Sequence, residues 1–141
     1  MIKRQRFVAD TNTVVSAQLW GGKPLELLRM AAGGRITLST SAALLAELRT
    51  TLAKPKLAKA LDSSGRTLAQ HVADYRQLAT VTRVTEPVVQ HSRDPDDDHV
   101  IACALAARAN FIVTGDDDLL VLGSVGGIRI MRVAEVLGEL V

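Results

Sequence analysis

A chain of 141 residues, 48% hydrophobic and 23% charged, is long enough for one well-buried core and too apolar for a disordered segment. The net charge of +2 hides a segregation: residues 94–118 hold seven of the 15 acids and one base, a local −6 against +8 elsewhere. Four aromatics are too few for single-strand stacking platforms, the lone Cys103 excludes a disulfide framework, and no apolar run approaches the ~20 residues that cross a bilayer.

The basic start, Met1 to Arg6, leads directly into a strand-length run, so the h-region of a signal peptide is not expected there. Together with the unpaired cysteine this fits a reducing, cytoplasmic location. Arg6 to Asp10 reads as a first strand, apolar on both faces as parallel strands are. Pro24 suits a helix's first turn, and Leu25, Leu27, Leu28 and Met30 follow until Gly33-Gly34 ends it. Ile36 to Ser39 is a short second strand. Ser41 to Ala53 is a helix with Leu44, Leu45, Leu48 and Leu52 on one face. Lys54 to Thr80 is helical and amphipathic, broken at Ser63-Ser64-Gly65, and Thr82 to Val84 is a third strand. A helix over about Asp96 to Ala109 precedes a strand to Thr114, a short helix near Asp118 to Leu122, a strand at Ile128 to Met131 and a terminal helix. Strands alternating with helices predict a single α/β domain, a three-layer sandwich around a mostly parallel central sheet of four to five strands.

Two strand-like runs stop at an aspartate, Phe7-Val8-Ala9 at Asp10 and Phe111 to Gly115 at Asp116. Ligands of open parallel sheets bind beyond the carboxyl ends of the strands, where acids a hundred residues apart can meet. Carboxylates gathered so closely repel by roughly 3 kcal/mol per pair at ~5 Å and an effective dielectric near 20, and such oxygen-rich sites hold Mg²⁺ or Mn²⁺. One Cys and three scattered His (His71, His91, His99) cannot form an N/S zinc site. An acidic pocket in a basic body suits a polyanion that associates with metal ions.

Helix capping alone explains one or two of Asp94, Asp96, Asp97 and Asp98, but hardly four. Asp94, Asp96 and Asp98 imitate the start of an EF-hand loop, yet His99 and Leu105 stand where its Gly and Glu belong. Asp10-Thr11-Asn12-Thr13 imitates the Asp-x-Asp-x-Thr of dehalogenase-like phosphotransferases, with Asn12 in place of their second aspartate.

Four segments in series resemble the PIN domain, a family of metal-dependent ribonucleases that includes VapC-type toxins. They are Phe7 to Ala17, with its strand ending in Asp-Thr-Asn; Leu44-Leu45-Ala46-Glu47-Leu48; Asp94 to Ala106; and Phe111 to Leu120. The resemblance implies a metal-dependent endoribonuclease, the toxin of a toxin–antitoxin pair, hydrolysing RNA phosphodiesters by metal-activated water. It implies catalytic roles for Asp10, Glu47, Asp98 and Asp116, with Mg²⁺ (or Mn²⁺ as substitute) held by Asp10, Asp98 and Asp116. Asn12, Ser16 and Thr114 are candidate carboxylate-orienting donors, and Asp94 and Asp118 are additional candidate ligands. Asp97 is expected only to start its helix. The expected partners are RNA, an antitoxin protein and a second copy of the chain, paired through leucine faces at 44–52 and 57–68 and near Val136-Leu137-Leu140. The alternatives are a catalytically silent interaction scaffold, which four intact acids oppose, and a Mg²⁺-dependent phosphotransferase of the dehalogenase type with Asp10 as nucleophile.

Overall fold

The computed structural model describes residues 4–140; residues 1–3 of the basic start, and residue 141, lie outside them. The strands are β1 (Gln5–Ala9), β2 (Ile36–Thr40), β3 (Thr80–Val81), β4 (Phe111–Val113), β5 (Ser124–Val125) and β6 (Ile128–Met131). They form one sheet in the order β3-β2-β1-β4-β6-β5, parallel throughout except for the β5–β6 hairpin. The helices are α1 (Thr11–Leu19), α2 (Gly22–Ala32), α3 (Ala42–Leu52), α4 (Ala58–Ser63), α5 (Leu68–Leu78), α6 (Pro95–Ala107), α7 (Asp117–Leu120) and α8 (Val133–Leu140), with one 3₁₀ turn at Pro55–Leu57.

Strand periodicity divides the core into two layers. In β1, Phe7 and Ala9 pack with α1, α2, α3, α5 and α8 on one face, while Val8 packs with α6 and α7 on the other. Adjacent β4 repeats the division, with Ile112 facing α6 and Val113 facing α1. The helices thus form the outer layers of the expected sandwich. Leu44, Leu48, Leu52, Leu57 and Val136 are buried in the chain's own core. The leucine faces read as pairing surfaces between copies are therefore largely spent inside the molecule.

The described residues form six strands where four to five were expected, the additional one being the two-residue β5. Gly126 and Gly127 turn it back on β6, both with positive φ, which is the backbone that a two-residue hairpin requires. The third strand lies two residues earlier than expected. It pairs Ser39 with Thr80 and Thr40 with Val81, and one further bond joins Thr82 N–H to the Thr40 carbonyl (2.7 Å). Beyond Thr40 the neighbouring chain turns into α3, so residues 83–84 have no strand to pair with. Helix α1 begins directly at β1's end, and Gly21 (φ 79°) and Gly22 (φ 67°) then make the sharp turn into α2. Among the described residues no helix is long and apolar enough to cross a membrane.

Candidate metal centre

The acidic clusters sit where the chain leaves the sheet's carboxyl edge and each next helix needs a cap. Asp10 caps α1, its Oδ1 accepting from Thr13 N–H (2.9 Å). Asp94 caps α6 and accepts from Asp96 N–H (3.0 Å); Asp116 caps α7 and accepts from Asp118 N–H (2.9 Å). Capping and clustering are therefore not rival explanations, because the same aspartates do both.

Because β1 and β4 are neighbours, Asp10 and Asp116 emerge side by side. Thr114 ties them together: its hydroxyl donates to Asp10 Oδ2 (2.5 Å) and accepts from Asp116 N–H (2.9 Å). Asp10 is buried. Burial raises its pKa, the Thr114 and Thr13 hydroxyls and the Thr13 amide oppose the rise, and the Asp116 charge adds to it.

Carboxylate oxygens of Asp94, Asp97 and Asp116 all lie within 4.8 Å of one another. Asp97 is the member that the sequence reading set aside. Successive helical residues point about 100° apart, so Asp97 and Asp98 cannot both face this point. Asp97 does, and Ser92 Oγ donates to its Oδ2 (3.0 Å). Burial, with the charges of Asp116 and Asp94, pushes the Asp97 carboxyl up to about 7 against the Ser92 hydrogen bond. Asp98, expected to bind metal, turns the other way, and its Oδ1 accepts from His91 N–H (2.7 Å) and Ser92 N–H (3.0 Å).

Glu47, half-buried on α3, faces the same cleft. Its carboxyl is raised to about 7 by burial and by Asp96, Asp10 and Asp94, while the Thr11 hydroxyl holds it down. That hydroxyl is buried beside Glu47 without a formed hydrogen bond among the described residues. Asn12 is exposed and Ser16 half-buried, and neither side chain hydrogen-bonds within the described residues. Asp118 is exposed and contributes its amide rather than its carboxylate; Asp117 pairs with Arg132 (3.3 Å). Thr11, Thr13, Ser92 and Asp97 are thus the site residues that the sequence reading missed. One signal was available for Asp97: it follows the cap Asp94 by three residues, the spacing that shares a helix face.

The donor set is all carboxylate and hydroxyl oxygen. It fits a hard divalent cation, because carboxylate oxygens of three aspartates converge within 4.8 Å, with burial and mutual repulsion both disfavouring their charge in the absence of a counter-ion.

A sequence profile of the PIN domain matches residues 6–118, from the start of β1 to the acids of α7. The chain belongs to the PIN domain family. No curated protein sequence matches it. Among solved structures, this PIN domain is similar to a chain of VapBC2 from Rickettsia felis, solved bound to a DNA fragment from their promoter. The TM-score is 0.63 at 14% identity, over 91% of this chain and 98% of that one. It is similar also to Mycobacterium tuberculosis VapC20, a sarcin-ricin loop cleaving toxin. That TM-score is 0.57 at 20% identity, over 87% and 98% of the two chains. At such identities the likeness is one of fold, and chemistry must be argued from the site.

Proposed function

We propose that this PIN domain is a divalent-metal-dependent endoribonuclease that acts as the toxin of a toxin–antitoxin pair. The observation that carries the reading is the meeting of Asp94, Asp97 and Asp116 within 4.8 Å at the sheet's carboxyl edge. These three would hold Mg²⁺ or Mn²⁺, with Asp10 braced behind them through Thr114 and Glu47 across the cleft. When bound, such a cation lowers the pKa of water and offsets charge developing on a phosphate. The protein's own part is positional. Thr114 fixes Asp10 and the Asp116 backbone, Ser92 fixes Asp97, and Glu47, with its pKa near 7, is suited to accept or release a proton at neutral pH.

The sequence reading assigned metal binding to Asp98; the proposal gives that role to Asp97. The fold likeness to VapC20 supports RNA as substrate and the toxin role. A cleft dense in carboxylates would also accept an antitoxin's arginine, whose guanidinium forks onto them. A dehalogenase-type nucleophile is disfavoured because both Asp10 oxygens are engaged and the residue is buried.

The test is incubation of pure protein with RNA in Mn²⁺ and in EDTA, with p-nitrophenyl phosphate in parallel. Cleavage of RNA only with Mn²⁺, without phosphate release, is the expected result. RNA left intact in Mn²⁺ points to a silent scaffold. Light scattering at micromolar concentration tests pairing: with the leucine faces largely buried in the chain's own core, a mass near the 15.1 kDa of one chain would remove the second copy from the expected partners.

A further inference from the structure

Two adjacent aspartates of α6 are buried, and only one of them faces the acidic cleft. The other, Asp98, directs Oδ1 at two successive backbone amides, His91 (2.7 Å) and Ser92 (3.0 Å). Charge-assisted bonds of this kind are about twice as strong as neutral ones, and here both end on one oxygen. They pin the end of the irregular segment that leads into α6. Ser92, itself buried, then donates its hydroxyl to Asp97 Oδ2 (3.0 Å) and accepts from Asp94 N–H (3.3 Å). The same hydroxyl thereby touches two of the three residues whose carboxylates converge.

We propose that Asp98 is a positioning residue that acts through Ser92. It holds the 91–92 backbone so that the Ser92 hydroxyl sets the Asp97 carboxylate against Asp94 and Asp116. The inference rests on the metal-dependent reading above, and it assigns the two neighbouring acids different work. Asp97 needs its charge; Asp98 needs only an acceptor oxygen at Oδ1. Asparagine retains such an oxygen. Asp98 itself borders a cavity lined also by Arg83, Val84, His91 and Ile101, which leaves room for the amide group.

The experiment measures Mn²⁺ affinity by calorimetry, RNA cleavage, and the thermal melt in EDTA for wild type, Asp97→Asn, Asp98→Asn, Asp98→Ala and Ser92→Ala. Asp97→Asn is expected to lose Mn²⁺ binding. Ser92→Ala is expected to weaken it by about 10–100-fold, the usual cost of losing a partner that orients a ligand. Asp98→Ala should weaken it at least as much, and Asp98→Asn should restore it to within about threefold of wild type, because the neutral oxygen keeps the geometry with weaker bonds. If Asp98→Ala does not fold, Ser92→Ala and Asp98→Asn still decide the matter. Loss of Mn²⁺ binding in Asp98→Asn comparable to that in Asp97→Asn overturns the proposal, as does wild-type affinity in Ser92→Ala. A wild-type protein that takes up no Mn²⁺ overturns it together with the metal reading. One that binds Mn²⁺ through Asp97 but leaves RNA intact overturns only the ribonuclease reading.

Discussion

Replacing Asp97 with asparagine should stabilise the metal-free protein while removing its response to metal. The carboxyl rises from 3.8 to about 7, chiefly because burial penalises its charge, with Asp116 and Asp94 adding repulsion. Between those values the folded chain binds more protons than the unfolded one, so stability falls as pH rises through the window. Full ionisation costs about 4 kcal/mol at ~1.4 kcal/mol per pH unit. Solvent reaches the neighbouring acids at the cleft rim, and screening there reduces the figure to roughly 1–2 kcal/mol. Asparagine carries no charge, and its carbonyl can still accept the Ser92 hydroxyl.

In a domain of this length each 1 kcal/mol moves Tm by roughly 3–4 °C, so at pH 8 in EDTA the variant should melt about 3–8 °C above wild type. The gap should close toward pH 4, where the wild-type carboxyl is protonated in the folded state and half-protonated in the unfolded one. Millimolar Mn²⁺ should raise the wild-type Tm and leave the variant's unchanged, because stabilisation follows ligand binding. Differential scanning fluorimetry at pH 4, 6 and 8 reads all three effects. A variant that melts at or below wild type at pH 8 in EDTA would refute the argument from buried charge.

Three further outcomes follow from the same geometry. Because Glu47 and Asp97 both titrate near 7, protons compete with metal, so Mn²⁺ affinity should rise from pH 5.5 to 7.5 and then level off; calorimetry showing a flat profile would contradict this. Asp10→Asn should abolish RNA cleavage with the fold retained, and Thr114→Val should cut it about 10–100-fold by releasing Asp10 from the Asp116 backbone; gel assays and circular dichroism check both. Cys103, 0% exposed and with its thiol pushed up to about 11 by burial, should resist Ellman's reagent until the protein unfolds, and Cys103→Ser should still cleave RNA.

Much of this arrangement was legible in the sequence, and the reasons are local. Apolar runs of strand length, helical leucine spacing and Gly-Gly breaks located β1, β2, β4, β6 and most helices, because those patterns are themselves the forces that form the elements. The β5 strand escaped notice because two residues carry no periodicity, although Gly126-Gly127 between Val125 and Ile128 was a hairpin signal. Strand β3 was displaced because its extent depends on where β2 stops, which is a property of its partner and not of residues 80–84.

The site divides in the same way. Asp10 and Asp116 could be placed from the sequence because a strand's end fixes where its last side chain goes. The run Asp94 to Asp98 could not be resolved by residue type, since four carboxylates offer identical chemistry. What separates them is helical phase counted from the cap. With Asp94 as N-cap, Asp97 lies over it on the cleft side, and Asp98, a further 100° around, meets the backbone of residues 91–92 instead. Ser92 had no sequence signal at all, for its role exists only because Asp98 holds the segment in which it lies. In such a run, resemblance can nominate the cluster, but the helical phase set by the cap decides which member faces the acidic cleft.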